Sequence, residues 1–370
     1  RPYQESSSII SGSEVLKSSN KTTYNGNYGL NAQWTVYNGS KRLKTIEQEK
    51  LNNRVADLDV ATSENDIEQS IAQVYIQILY AAESVKVNEN TLQVSEAQRD
   101  RGKQLLDAGS IARSDYAQLE AQVSTDRYQL VTAQATLQDY KLQLKQLLEL
   151  DGEQEMQVYL PALGDENVLS PLPTKTDVFR SAVALRPEIE ASKLSVEASE
   201  LGIGIAKSGY LPSVSLTAGI GTNHTSGSDF TFGEQVKNGW NNSIGLSISV
   251  PIFNNRQTKS AVEKAKLQYQ TSQLTLLDEQ KTLYKTIEGL WLDANSAQQR
   301  YAAAIEKLHS TQTSYELVSE QFNAGMKNTV ELLTEKNNLL QAQQELLQSK
   351  YMAILNTQLL KFYQGDKITL

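Results

Sequence analysis

The chain has 370 residues, 39% of them hydrophobic, with a formal net charge of −8 and no cysteine. The acidic balance argues against nucleic acid as a partner, because phosphates call for a basic footprint. Lack of cysteine excludes disulfide frameworks, thiolate zinc sites and cysteine nucleophiles, and no run of eighteen apolar residues offers a transmembrane helix.

In chain order, residues 1–37 predict a β-hairpin with unequal arms. The first arm, near 3–11, carries Gln4, Glu5, Ser6, Ser7 and Ser8, too polar for lipid; only Ile9 and Ile10 suit it. In the second, over 28–37, Tyr28, Leu30, Ala32, Trp34 and Val36 alternate with Gly29, Asn31, Gln33 and Thr35. A helix over 40–106 follows, then a glycine-containing turn at 107–113 and a second helix over 114–149. At 1.5 Å per residue the first helix spans on the order of 100 Å, far beyond a usual globular helix. Its Ile71, Ile78, Val85, Leu92 and Leu106 hold a seven-residue phase, interrupted by Arg99. Such a stripe means coiled-coil packing against neighbouring helices.

Residues 151–176 hold Pro161, Pro171 and Pro173 and read as a connecting segment. A helix over 177–208 comes next, in which Pro187 can begin a fresh helical stretch. A second β-hairpin covers 211–253. Val214, Leu216, Ala218 and Ile220 alternate with small polar residues in its first arm, and Ile244, Leu246, Ile248, Val250 and Ile252 do so in its second. Between the arms, 222–243 is rich in Gly, Asn, Ser and Thr and reads as an exposed loop. Long helices over 256–322 and 330–363 complete the chain.

The order of elements is a duplication at an offset of 216 residues. Gly29-Leu30 matches Gly245-Leu246, Val36-Tyr37-Asn38-Gly39 matches Ile252-Phe253-Asn254-Asn255, and Ala108-Gly109 matches Ala324-Gly325. No gap is needed between the first and last of these matches. The first repeat is 1–150 and the second 177–370. The second has a helix before its hairpin that the first lacks, since Pro2 already stands where Pro212 does.

A period of two places the apolar set of each strand on one face. Alternation alone fits either a small soluble sheet with one buried face or barrel strands with lipid outside and water inside. The lean hydrophobic content leaves few residues for a sandwich core, and a lone hairpin is marginal in water. A barrel closed by several chains leaves no bare edge. Tyr28, Leu30, Trp34, Val36, Leu246, Ile248 and Val250 are then the lipid-facing positions.

Three markers in this order, inside the duplication, resemble the TolC-like outer-membrane channel family, the outer membrane factors. They are Arg186-Pro187-Glu188-Ile189, Tyr210-Leu211-Pro212-Ser213-Val214 and the paired glycine turns. The resemblance implies a mainly α fold with a β-barrel part. It also implies a homotrimer in the outer membrane of a Gram-negative bacterium, with four strands per subunit in a twelve-stranded barrel. The long helices build a periplasmic tunnel, and one further helix belongs upstream of Arg1. The implied function is the passive exit duct of an efflux pump or type I secretion system. The partners are a periplasmic adaptor, an inner-membrane pump and outer-membrane lipid. A soluble coiled-coil scaffold is the competing reading, which the alternating strands disfavour.

No catalytic constellation stands out, no cofactor is implied, and neither His224 nor His309 has metal-ligand spacing around it. The turns are the positions of interest. Ala108, Gly109 and Ser110, with Ala324, Gly325 and Met326, are the tips that the resemblance gives to the adaptor. Ser114 and Thr329 can cap the helices that follow. By resemblance, Ser114 and Asp115 face Phe322 and Lys327 in a closing latch. Lysine stands where the family often has arginine, and phenylalanine where it often has tyrosine, so the latch rests mainly on Asp115 and Lys327. Glu331 matches an acidic ring of some members, Thr334 departs from a second, and Glu335 shares a helix face with Glu331. The plain alternative is that the tip residues only turn the chain and the acids are solvated.

Overall fold

The computed structural model describes residues 23–151, 156–161, 163–164 and 168–368. Its elements are β1 (Asn25–Asn38), α1 (Lys41–Asp107), α2 (Arg113–Leu147), α3 (Lys175–Leu185), α4 (Pro187–Lys207), β2 (Ser213–Thr225), α5 (Phe232–Asn238), β3 (Asn241–Ser249), α6 (Gln257–Asn323) and α7 (Thr329–Gln364). The first hairpin arm, near 3–11, lies outside the described residues. Both α1 and α6 are 67 residues long, and each starts after two left-handed residues: Gly39 and Ser40, then Asn255 and Arg256. These joints recur at the same 216-residue spacing as the sequence matches.

Two compact units make up the chain: Arg1–Asn53 with Ser195–Gln273, and Arg54–Leu194 with Leu274–Leu370. The first contains an antiparallel sheet in the order β1-β2-β3. Trp34 sits opposite Leu216, which sits opposite Leu246; Ala32, Ala218 and Ile244 form the next apolar row. Helical side chains in this unit are tied across elements. Gln48 Nε2 donates to the Ala198 carbonyl at 2.8 Å, and the Ser199 and Ser272 hydroxyls meet at 2.7 Å.

Two strand expectations need correction. Ser215 pairs with Thr35 and Val214 with Tyr37, so Val36 is the extra residue of a bulge and Tyr37 takes its place in the register. Furthermore, β3 ends at Ser249. Val250 continues the alternation but precedes Pro251, which has no N–H for a ladder. The hairpin over 211–253 is therefore shorter at its end than the pattern suggests. It also contains a short helix, α5, inside the stretch read as loop.

The second unit is held by heptad contacts. Ile287, Ala294, Leu283 and Leu360 bury against Val178, Ala182 and Ile189. Ile76 and Leu79 bury with Tyr301, Leu347, Tyr351 and Ile354. Each fully buried Leu or Ile contributes roughly 1.5–3 kcal/mol, so these layers outweigh the weak helix propensity of the polar faces. The connecting segment is strapped down by side chains: Tyr75 Oη donates to the Tyr159 carbonyl at 2.7 Å, Trp291 Nε1 to Pro173 at 3.0 Å, and Gln298 to Val168 and Ser170 at 2.8 Å.

The single helix expected over 177–208 is two. Arg186 adopts extended backbone (φ −73°, ψ 126°) because Pro187 disfavours a helical residue before it. The Arg186 guanidinium stacks on Phe362 and Tyr363, 4.4 and 4.0 Å from their ring centroids.

Candidate functional site

Two surfaces and one buried cluster carry the functional geometry. The first surface is the ribbon of the first unit. Leu30, Ala32 and Trp34 of β1, Val214, Leu216, Ala218 and Ile220 of β2, and Ile244, Leu246 and Ile248 of β3 fall in register on one side. Asn31, Gln33, Thr35, Ser215, Thr217, Ser243 and Ser247 occupy the other. Leu30, Trp34, Ile244, Leu246 and Ile248 are all exposed. A continuous apolar face of this extent is the mark of a surface that meets something apolar.

The second surface is the pair of turns in the second unit. Gly109 N–H donates to Leu106 and Ser110 N–H to Leu105, at 2.9 and 2.8 Å. Gly325 donates to Phe322 and Met326 to Gln321 at the same two distances. These are Schellman closures of α1 and α6, and both glycines sit at φ +75°. A Cβ on either would meet nothing within 4 Å, so a substitution is penalised by the backbone alone. Gly325→Ala is expected to destabilise the turn by about 1–2 kcal/mol. The check is faster amide exchange at Gly325 and Met326, with the helical core unchanged.

Below the turns the latch residues take other partners. Phe322 is buried with Leu119 and Leu332, so it is a core residue. Gly102 makes room there: a Cβ on it would lie 2.3 Å from the Leu119 Cδ1. Lys327 Nζ pairs with Glu331 Oε1 at 2.5 Å, not with Asp115. Asp115 instead accepts the Ala112 N–H at 3.3 Å, and Ser114 is an exposed first-turn residue of α2. The Asp115–Lys327 bridge is thus not formed within this chain, because each side chain is satisfied inside its own turn. The α7 cap is Asn328, one residue before the expected Thr329: Asn328 Oδ1 accepts from the Glu331 N–H at 2.9 Å and Glu331 accepts the Asn328 N–H at 3.2 Å. Thr329 is buried at the first helical position. The Lys327 ammonium and the Asn328 N–H hold the Glu331 carboxyl below the usual carboxylate range. Glu335 accepts the Ser314 hydroxyl at 2.9 Å. Ala108, Ser110, Ala324 and Met326 are exposed.

The buried cluster joins α1, α2 and α7. Lys336 donates to the Asp126 carboxylate and to the Ser95 hydroxyl, and Ser95 donates to Asp126. Gln122 Nε2 donates to the other Asp126 oxygen at 2.9 Å. The Lys336 and Asp126 side chains are each only 3% exposed. Burial pushes the Lys336 ammonium down from its ordinary value, against the pull of Asp126. The repeat offers no hint of this cluster, since the residue 216 before Lys336 is Glu120. His224, expected in a loop, is in β2 with its ring 4.9 Å from Phe232.

A two-faced antiparallel ribbon and paired long helical hairpins define the class: a mainly helical fold with a small sheet. The chain belongs to the outer membrane efflux protein family, whose model matches residues 4–149 and 178–365. It is 25% identical to the outer membrane protein TolC of Escherichia coli over 335 residues, covering 87% of this chain and 66% of TolC. It is 24% identical to the outer membrane efflux protein BepC of Brucella suis over 294 residues, covering 79% of this chain and 61% of BepC. The chain therefore spans a little under two thirds of the length of these relatives. A crystal structure of CusC, described in terms of folding and transmembrane channel formation, superposes with a TM-score of 0.78 at 21% identity. That match covers 98% of this chain and 82% of CusC, and it establishes the fold.

Proposed function

We propose that this chain is a subunit of an outer-membrane channel in a Gram-negative bacterium. It is the exit duct of a tripartite efflux pump or a secretion system, and it makes and breaks no bonds. The observation that carries the reading is the ribbon: three strands in register with a continuous apolar band on one side and a polar, uncharged other side. That is the pattern of strands with lipid outside and water inside. Among the described residues, the outer edges of β1 and β3 have no strand partner, and an open edge is not tolerated in lipid. Closure calls for more strands. The resemblance calls for four strands from each subunit, and two further copies then complete a homotrimer with a twelve-stranded barrel.

In this reading the long helices form the periplasmic tunnel, and the turns at Gly109 and Gly325 meet a periplasmic adaptor. The inner-membrane pump supplies the energy. Glu331 and Glu335, in three copies, give the lower mouth an attraction for cations. The test is to incorporate the purified full-length protein into planar bilayers. Discrete conductance steps from a cross-linkable trimer are expected. A protein that stays soluble and monomeric without detergent and gives no steps is a coiled-coil scaffold, and the channel reading then falls.

A further inference from the structure

The polar stretch between β2 and β3 is not an open loop. β1 and β2 stay paired for four positions beyond the last β2–β3 pair, from Tyr28 opposite Thr222 to Asn25 opposite Thr225. β3 begins only at Asn241, opposite Gly221. The edge of β2 over 222–225 would therefore be bare. Helix α5 covers it: Gln235 Oε1 accepts the Thr225 N–H at 2.8 Å, and the Thr222 hydroxyl donates to the Val236 carbonyl at 2.8 Å.

The side of the ribbon on which α5 starts is set by register. Tyr28 and His224 lie an even number of residues from Leu30 and Ile220, so their side chains share the apolar side. The Phe232 ring meets both edge-on, 6.3 Å from Tyr28 and 4.9 Å from His224. Phe232 is therefore draped over the apolar side and not over the polar one. Tyr28 and Thr222 are one same-side step past Leu30 and Ile220, roughly 7 Å along the strand. That is about the depth of a headgroup layer beyond the hydrocarbon.

The exposed chemistry suits that layer. Tyr24, Phe230, Phe232 and Trp240 are all more than half exposed, as unexplained in water as they are typical of an aromatic girdle. Lys237 is also exposed, whereas the Glu234 carboxylate is engaged by the Thr231 N–H and hydroxyl, both at 2.9 Å. We propose that the β2–β3 segment is a membrane-interface anchor, with α5 laid against the lipid-facing wall and Phe230, Phe232 and Trp240 seated among lipid headgroups. It rests on the channel reading above, and it means that this segment does not fold over the mouth of the pore.

The chain has no cysteine, so single spin labels are unambiguous. Labels at Phe230→Cys and Trp240→Cys are compared in proteoliposomes with Leu246→Cys, in the middle of the apolar band, and Met326→Cys, at an exposed turn. The readout is the ratio of accessibility to oxygen over a water-soluble nickel chelate. The anchor predicts ratios at 230 and 240 several-fold above that at 326 and below that at 246. Ratios at 230 and 240 equal to that at 326, with 246 high, overturn the anchor and leave the channel standing. Ratios as high as that at 246 overturn the headgroup placement. A ratio at 246 no higher than that at 326 overturns the channel reading and the anchor with it. As a second measurement, Phe230→Ser/Trp240→Ser should leave single-channel conductance unchanged, and a rise would put the segment in the pore.

Discussion

Replacing Lys336 by alanine is expected to lower the unfolding free energy of the helical unit by about 3–5 kcal/mol, because it strands the Asp126 carboxylate in a dry interior. Among the described residues Asp126 keeps the Gln122 amide and the Ser95 hydroxyl as side-chain donors, and neither carries a charge. The complementary variant separates the ion pair from its desolvation cost. Lys336→Met combined with Asp126→Leu removes both charges at similar volume, and it is expected to be neutral or stabilising. Denaturant unfolding followed by circular dichroism checks both. If the single substitution is as mild as the double, the three side chains are not buried together. A double variant that is stable yet poorly ordered at Ser95 would give the ion pair a role in setting helix register.

Leu246→Arg is expected to cut the yield of membrane-assembled protein by at least about tenfold, since an arginine on the lipid face near mid-bilayer costs about 2–4 kcal/mol. Ser247→Arg, one residue on, is expected to assemble close to normally, because the next side chain of a strand points to the opposite face. Leu246 lies in the row with Leu216 and Trp34, and Ser247 opposite Ser215 and in line with Thr35. The measurement is the heat-modifiable or cross-linked oligomer recovered from outer membranes. Equal yields from the two variants would mean that the ribbon is not two-faced in its native setting, and the conduit reading would lose its main support.

Much of the architecture was legible because the duplication repeats its punctuation. Glycine at 109 and 325, and the strand-to-helix joints at 39–40 and 255–256, put helix ends within a residue or two of where backbone geometry ends them. What escaped had physical causes. Alternation in sequence continues through Val250 and Ile252, yet a strand lasts only as long as its partner, and β2 begins at Ser213. The bulge at Val36 is invisible to alternation because it changes pairing, not residue type. Helix α5 is a seven-residue element in a polar stretch, though Thr231 and Glu234 did spell a capping box. The clasp of Ser95, Asp126 and Lys336 was out of reach, since a lysine and an aspartate on coiled-coil helices are ordinarily solvated. The latch pairing is not formed within this chain, because Lys327, in the turn before α7, has a nearer acid in Glu331, four residues ahead in the first turn of that helix.

The two apices owe their shape to main-chain closures around a left-handed glycine with empty space where a Cβ would point. The closure uses the backbone of Ser110 and Met326 and not their side chains. Ser110 and Met326 can thus be replaced at little thermodynamic penalty, the outer surface of each bend changing while its backbone stays as it is.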